Sequence, residues 1–105
     1  MQMPKPTVSR LIVARELSTG PKSWGQLIKA YYGEDRNKLK VNTSFWNKKC
    51  ECLTLGIMRQ DPLTHLYIID EAGKMLIEYA KANNIDLPSL KSEAQIRYEI
   101  AHGKV

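Results

Sequence analysis

The sequence predicts an α+β fold that is mainly α: three helices, a two-stranded antiparallel hairpin, a fourth helix and a C-terminal helix. The main evidence is the stretch 42–73, where a basic helical segment is followed by Gly56, two short β-rich runs around Asp61-Pro62, and a new helix start. Helix-capping residues at three other points, Thr7, Ser23 and Ser89 or Ser92, divide the rest of the chain into helical segments. At 105 residues the chain has the length of one domain. We expect a short disordered arm at 1–6, one domain over 7–84, and a linker and helix over 85–105.

The first helix is predicted from Thr7, a capping residue, to about Leu17, where the run Ser18-Thr19-Gly20-Pro21 stops it. Its apolar residues form a broad stripe suited to burial: Val8, Leu11, Ile12, Val13, Ala14 and Leu17.

The second helix is predicted to start at Ser23, because Ser23 and Gln26 have the spacing of a capping box. It is short, about ten residues, and Gly33 ends it. Its inner face would consist of Trp24, Leu27, Ile28 and Tyr31.

The third helix carries the basic and aromatic residues. Asn42 or Thr43 is the predicted cap, and the helix is expected to end near Leu55. The polar segment before it, 33–42, is either an extended turn or partly an extra helical turn. On a helical wheel one side is apolar, with Phe45, Trp46, Cys52, Leu53 and, near its edge, Cys50; the opposite side is polar, with Ser44, Asn47, Lys48, Glu51 and Thr54. Lys49 falls near the apolar side, so its chain must bend towards solvent or the helix must end early.

A hairpin is predicted after Gly56. Residues 57–60 form the first strand, Asp61-Pro62-Leu63-Thr64 the loop, and residues 65–69 the return strand. A hairpin alone is marginally stable, so we expect it to pack on the helices.

Two more helices are predicted after the hairpin. Asp70 caps the fourth helix, which ends at Asn83-Asn84 and whose inner positions are Ala72, Met75, Leu76, Tyr79 and Ala80. After a linker at 85–88 the last helix begins near Ser89 or at Ser92, where Ser92 and Gln95 form a second capping box. Its apolar residues cover more than one face. Either a partner subunit covers one face, through Leu90, Ala94, Tyr98 and Ala101, or the helix folds back on its own domain.

The net charge of +5 is concentrated in one part of the chain. Residues 22–59 contain eight basic and three acidic side chains, whereas the remaining residues carry equal numbers of each. Such a localised positive field is typical of proteins that bind nucleic acid. The alternative is a basic surface that maintains solubility.

Two runs resemble the winged helix-turn-helix transcriptional regulators, in the general style of the MarR and PadR groups. They are CLTLGIMR at 52–59, like the end of a recognition helix opening into a wing, and YIIDEAGKML at 67–76, like a closing wing strand and the next helix. The resemblance covers roughly residues 7–83. It implies base contacts from Thr43, Ser44, Asn47 and Lys48, wing contacts from Arg59, Thr64 and His65, and phosphate contacts from Lys22, Lys38 and Lys40.

No catalytic, metal or cofactor chemistry is expected. The chain has neither a phosphate-cradling glycine loop nor a nucleophile elbow. Cys50 and Cys52 point about 200° apart on a helix, so both cannot easily bind one metal. The chain has no apolar run long enough for a membrane span and no signal core, so we expect a cytoplasmic protein. Nothing implies a small-molecule ligand.

The expected function is therefore a sequence-specific double-stranded DNA-binding transcriptional regulator, a repressor that acts as a homodimer through its last helix. One alternative is a DNA-binding replication or partition factor of a plasmid or virus, which would use the same surface. A second alternative is a protein-interaction module with this fold that does not bind DNA.

Overall fold

The computed structural model of the chain describes residues 2–32, 39–101 and 103, and for residues 39–44 it describes the backbone only. Five α-helices and one two-stranded antiparallel sheet make up this part of the chain, which confirms the mainly helical α+β class. Their order along the chain is α1 (Val8–Ser18), α2 (Trp24–Tyr32), α3 (Leu39–Thr54), β1 (Met58–Gln60), β2 (Tyr67–Ile69), α4 (Glu71–Ala82), a 3₁₀ turn (Leu87–Ser89) and α5 (Glu93–Ala101).

Four of the predicted helix caps are confirmed, at Thr7, Ser23, Asp70 and Ser92. Thr7 and Asp70 each accept a hydrogen bond from a backbone amide in the first turn of the following helix. Ser23 and Gln26 form the reciprocal capping box: the Ser23 amide donates to Gln26 Oε1 at 2.8 Å, and the Gln26 amide donates to Ser23 Oγ at 3.2 Å. Ser92 Oγ accepts from the amide of Gln95 at 3.1 Å, so the last helix begins at the second of the two predicted positions.

The start of α3 differs from the prediction. The helix begins at Leu39, so Asn42 and Thr43 lie inside it and do not cap it. The segment 33–42 was predicted to be either an extended turn or partly an extra helical turn. From Leu39 onward it is helical. The polar composition concealed this turn, although Leu and Lys are good helix formers. At its other end α3 stops at Thr54, within a residue of the expected end.

The hairpin is present but shorter than predicted. Met58 pairs with Ile69 and Gln60 with Tyr67, which leaves Ile57 and the segment 61–66 outside the strands. His65, expected in the return strand, has a φ of +61° and therefore belongs to the loop. The loop is thus two residues longer than the turn chemistry of Asp61-Pro62 indicated.

The core lies where α1 packs against α4, α2 and β2. The predicted stripe of α1 is buried from Leu11 onward, while Val8 remains exposed. On α4, Ala72, Leu76 and Ala80 are buried as predicted, and Met75 and Tyr79 are half-buried. None of the helices in the described ranges is long and apolar enough to cross a bilayer.

The N-terminal arm and the linker before α5 are both held against the rest of the chain. Met3 in the N-terminal arm is half-buried against it, and the carbonyl of Lys5 accepts from Arg10 Nη1 at 2.9 Å. The linker before α5 is held by Arg15, whose Nη1 donates to the carbonyls of Leu87 at 3.0 Å and Leu90 at 2.8 Å.

Candidate nucleic-acid interface

Helix α3 has one buried and one exposed side. Phe45 and Cys52 are each 1% exposed and face the core. Asn47, Cys50 and Thr54 are exposed, and their spacing of three and four residues places them on one face. The helical wheel places Cys50 near the edge of the apolar side. In the structure Cys50 belongs to the exposed face instead.

Lys49 bends over an aromatic pair, as its position near the apolar side required. Its Nζ lies 3.4 Å from the ring centroid of Trp46 and 4.9 Å from that of Trp24. Trp46 was predicted on the buried side but is 54% exposed. The Trp24 ring, 6.3 Å away and edge-on, covers part of it, and the Lys49 ammonium lies over its face. The helix therefore continues past Lys49 without burying an unpaired charge.

The one acidic residue of α3, Glu51, forms an ion pair with Arg10 of α1. Glu51 Oε1 accepts from Arg10 Nη2 at 2.7 Å, and both side chains are partly buried. Glu51 is the only acidic residue in the sequence of α3, which also carries Lys40, Lys48 and Lys49. Lys48 is half-buried and lines a groove with Tyr31 and Tyr32, so it is less open to solvent than Asn47.

Hydrogen bonds fix the hairpin to the end of α3 and to the segment before α2. The amide of Ile57 donates to the carbonyl of Cys52 at 2.9 Å, directly after Gly56 turns the chain with a φ of +75°. Lys22 and Tyr67 form an antiparallel bridge, with amide-to-carbonyl distances of 3.0 and 2.7 Å. The hairpin is therefore held on both sides, and Arg59 on β1 remains exposed.

The hairpin loop is ordered by its own hydrogen bonds. Asp61 Oδ1 accepts from the amides of Leu63 at 2.8 Å and Thr64 at 3.4 Å, and these bonds hold the pKa of the Asp61 carboxyl below its usual value. The amide of His65 donates to the carbonyl of Asp61 at 2.8 Å, and Gln60 Nε2 donates to the carbonyl of His65 at 3.0 Å. Thr64 and His65 are exposed on this loop.

Only some of the predicted DNA-contact residues are exposed in the described part of the chain. Asn47 and Arg59 and the loop residues Thr64 and His65 are exposed on α3 and the hairpin. Lys22 is half-buried before α2, where its Nζ donates to Thr19 Oγ1 at 2.8 Å. Lys38 lies outside the described residues, as do the side chains of three residues in α3: Lys40, Thr43 and Ser44.

The four residues predicted for dimerisation differ in how far they are exposed. Leu90 and Ala94 are half-buried against the core of their own chain. Tyr98 is half-buried and Ala101 exposed. The large apolar side chains that α5 exposes are instead Ile96 and Ile100.

The two cysteines have opposite environments. Burial raises the pKa of the Cys52 thiol to about 12, so it stays protonated and inert. Cys50 is exposed. Burial also raises the pKa of Tyr67, with a smaller contribution from Cys50. Within the described ranges no three potential metal ligands lie together.

Sequence reasoning missed two features of this surface. One is Leu63, which is 88% exposed at the loop; an apolar residue directly after Asp-Pro, inside a turn, was the available signal. The other is the Arg10–Glu51 pair, which joins residues 41 apart and leaves no local pattern. No family model matches the chain, and it has no match among curated proteins or solved structures.

Proposed function

We propose that this protein binds double-stranded DNA, with the exposed face of α3 in the major groove and the hairpin on the flanking backbone or minor groove. The observation that carries the proposal is that α3 keeps its positive charge: its one acid is paired with Arg10, so the lysines of the helix are not cancelled. A polyanion is the partner that such a helix attracts.

The exposed face of α3 also has chemistry suited to reading bases. Asn47 is exposed, and an Asn side chain can bond adenine bidentately in the major groove. Thr54 is a donor and acceptor on the same face, and Thr43 and Ser44 are earlier in the same helix. Arg59 and Lys22 stand on the elements that flank α3, where they suit phosphate contacts.

The finer architecture that we propose is a winged helix-turn-helix. Helix α2 precedes α3, the hairpin follows α3 directly, and the bridge between Lys22 and Tyr67 ties the hairpin to the entrance of α2. This bridge supports the hairpin as a wing, because it fixes the hairpin relative to both helices.

The proposed role is a transcriptional regulator, a repressor that acts as a homodimer through α5. A dimer doubles the phosphate contacts of one α3 and one hairpin. If about six phosphates are neutralised per dimer, affinity should fall by roughly 10³ between about 50 and 200 mM salt.

Fluorescence anisotropy across a salt series tests the proposal. The probes are a duplex from upstream of the protein's own gene and a scrambled duplex of equal length. We expect salt-dependent binding to both and tighter binding to the first. Equal binding to both duplexes would favour the replication or partition role. The number of protein molecules bound to a long DNA would then distinguish that role from a repressor. No binding at low salt would contradict DNA binding and favour a protein-interaction module.

Three variants assign the contacts. Asn47→Ala should reduce the preference for the upstream duplex by about 1–3 kcal/mol. Arg59→Ala should weaken binding to both duplexes and lower the salt slope by about one. Lys81→Ala is the matched control, because Lys81 is an exposed cation in the last turn of α4 and belongs to neither α3 nor the hairpin. A salt slope lowered equally by Lys81→Ala would mean that the whole surface, and not this face, attracts DNA.

A further inference from the structure

Leu63 is the most exposed of the large apolar side chains that the structure describes, at 88%. An exposed leucine usually adjoins others in a patch when it serves a protein interface, and such interfaces bury at least about 1,000 Å². The other exposed large apolar residues in the described chain are on other elements: Val8, Trp46, Ile96 and Ile100. On the hairpin Leu63 therefore stands alone.

The loop holds Leu63 in place before any partner arrives. Its own amide donates to Asp61 Oδ1, and the loop is closed by the bond from the Asp61 amide to the carbonyl of Leu66 at 2.8 Å. His65 completes the turn in the left-handed region, with a φ of +61°. These bonds order the backbone that carries Leu63, so its backbone loses little conformational freedom on binding.

The hairpin has no net charge with which to attract DNA. Between residues 57 and 69 the single basic residue, Arg59, is balanced by the single acid, Asp61. Any affinity that the hairpin adds beyond its one phosphate contact must therefore come from apolar contact and hydrogen bonds.

Resting on the proposed function, we propose that Leu63 is an apolar wedge that enters the minor groove and partly separates two stacked base pairs. Isolated leucines act in this way in proteins that bend DNA, where the wedge kinks the duplex towards the major groove by roughly 20–90°. A single apolar side chain suffices for one base step. Thr64 and His65 are exposed beside Leu63 and can bond acceptors at the floor of the groove.

The test compares the wild type with Leu63→Ser, on the tighter of the two duplexes, labelled at both ends for energy transfer. The wild type should shorten the end-to-end distance. Leu63→Ser should bind about tenfold more weakly at every salt concentration, with an unchanged salt slope because no charge is lost, and should leave the duplex straight. Leu63→Met is the matched control, since it keeps the volume and apolar character and should retain both affinity and bend.

The outcomes separate the wedge from the proposed function. Failure of the wild type to bind any duplex contradicts DNA binding itself, and the wedge with it. Binding by the wild type that Leu63→Ser leaves unchanged, in both affinity and duplex length, overturns the wedge alone. Self-association of the wild type without DNA, lost in Leu63→Ser by sedimentation velocity, would also overturn it, because Leu63 would then contact a second copy.

Discussion

Helices α4 and α5 begin in the same way and end up in opposite environments. Each follows a polar cap, Asp70 for α4 and Ser92 for α5. Over its 12 residues α4 buries four: Ala72, Gly73, Leu76 and Ala80. None of the nine residues of α5, all of them described, is buried. A cap therefore predicts that a helix exists but says nothing about how deeply it packs.

The difference in packing comes from the size and spacing of the inward residues. Three of the four buried residues of α4 are Ala or Gly, which let its backbone approach α1 and the strands closely. The exposed residues of α5 follow the same helical spacing but face solvent: Glu93, Ile96, Arg97, Ile100 and Ala101. Its own ion pair, between Arg97 and Glu93, is exposed and contributes little. Four pairs of substitutions test this contrast.

The largest effect is expected for Gly73→Ala. A Cβ on Gly73 would overlap the carbonyl oxygen of Ile57 and lie 2.7 Å from Cγ1 of Ile69. Because a backbone oxygen cannot move aside as a flexible side chain can, α4 must shift from the hairpin. We expect a loss of about 3 kcal/mol or more in the free energy of unfolding, measured by urea denaturation.

Gly25→Ala is the matched control for that substitution. Gly25 is also helical, in α2, and an added Cβ there meets nothing within 4 Å. It should raise stability by up to about 1 kcal/mol, because Ala is the better helix former. Similar losses at both glycines would show that close approach at α4 is not the cause.

A smaller effect is expected for Ser92→Ala, which removes the point where α5 is anchored. Ser92 is 1% exposed, and its hydroxyl both donates to the carbonyl of Tyr31 and accepts from the amide of Gln95. Losing both bonds should cost about 2 kcal/mol and speed hydrogen exchange over residues 93–101. Ser89→Ala, at an exposed serine bonded locally to the carbonyl of Asp86, should change stability by less than about 0.5 kcal/mol.

The fold was predictable where short-range chemistry decides it. The caps at Thr7, Ser23 and Asp70 each lie within three residues of the groups they bond, so the sequence contains the whole interaction. The cap expected at Asn42 or Thr43 was wrong, because residues of capping type can also lie inside a helix, as both do in α3. The placement of α5 was also left open, because it depends on Ser92 reaching Tyr31, 61 residues away.

The candidate site shows the same limit. That Lys49 must bend away from the core followed from its position on the wheel, but the Trp24 and Trp46 rings that receive it depend on how α2 and α3 meet. Glu51 was placed on the polar face, yet its pairing with Arg10 of α1 is a tertiary contact. Leu63 differs from these two residues, because it lies inside the loop predicted at 61–64 and its exposure could have been anticipated from the sequence.

A still smaller effect is expected at the ends of the two helices. Asn84 follows α4 with a φ of +56°, a conformation that Asn tolerates better than Ala. Asn84→Ala should cost about 1 kcal/mol, because α4 cannot unwind its last turn without exposing the buried Ala80. Gly103 follows α5 with a φ of +67°, and Gly103→Ala should cost less than about 0.5 kcal/mol, because α5 can fray. Equal losses in thermal unfolding would contradict this asymmetry.

The smallest effect is expected for Ile100→Ala, and it distinguishes packing within one chain from packing between two. Ile100 is 61% exposed, so its truncation should change the stability of the monomer by less than about 0.5 kcal/mol, against about 3 kcal/mol for Leu76→Ala in α4. If α5 joins two copies, the loss at Ile100 should grow with protein concentration, because a dimer interface is stabilised by mass action. Urea denaturation at two concentrations a hundredfold apart, with sedimentation velocity on the same samples, measures both. A large loss that does not depend on concentration would mean that α5 packs on its own domain more deeply than its exposed face indicates.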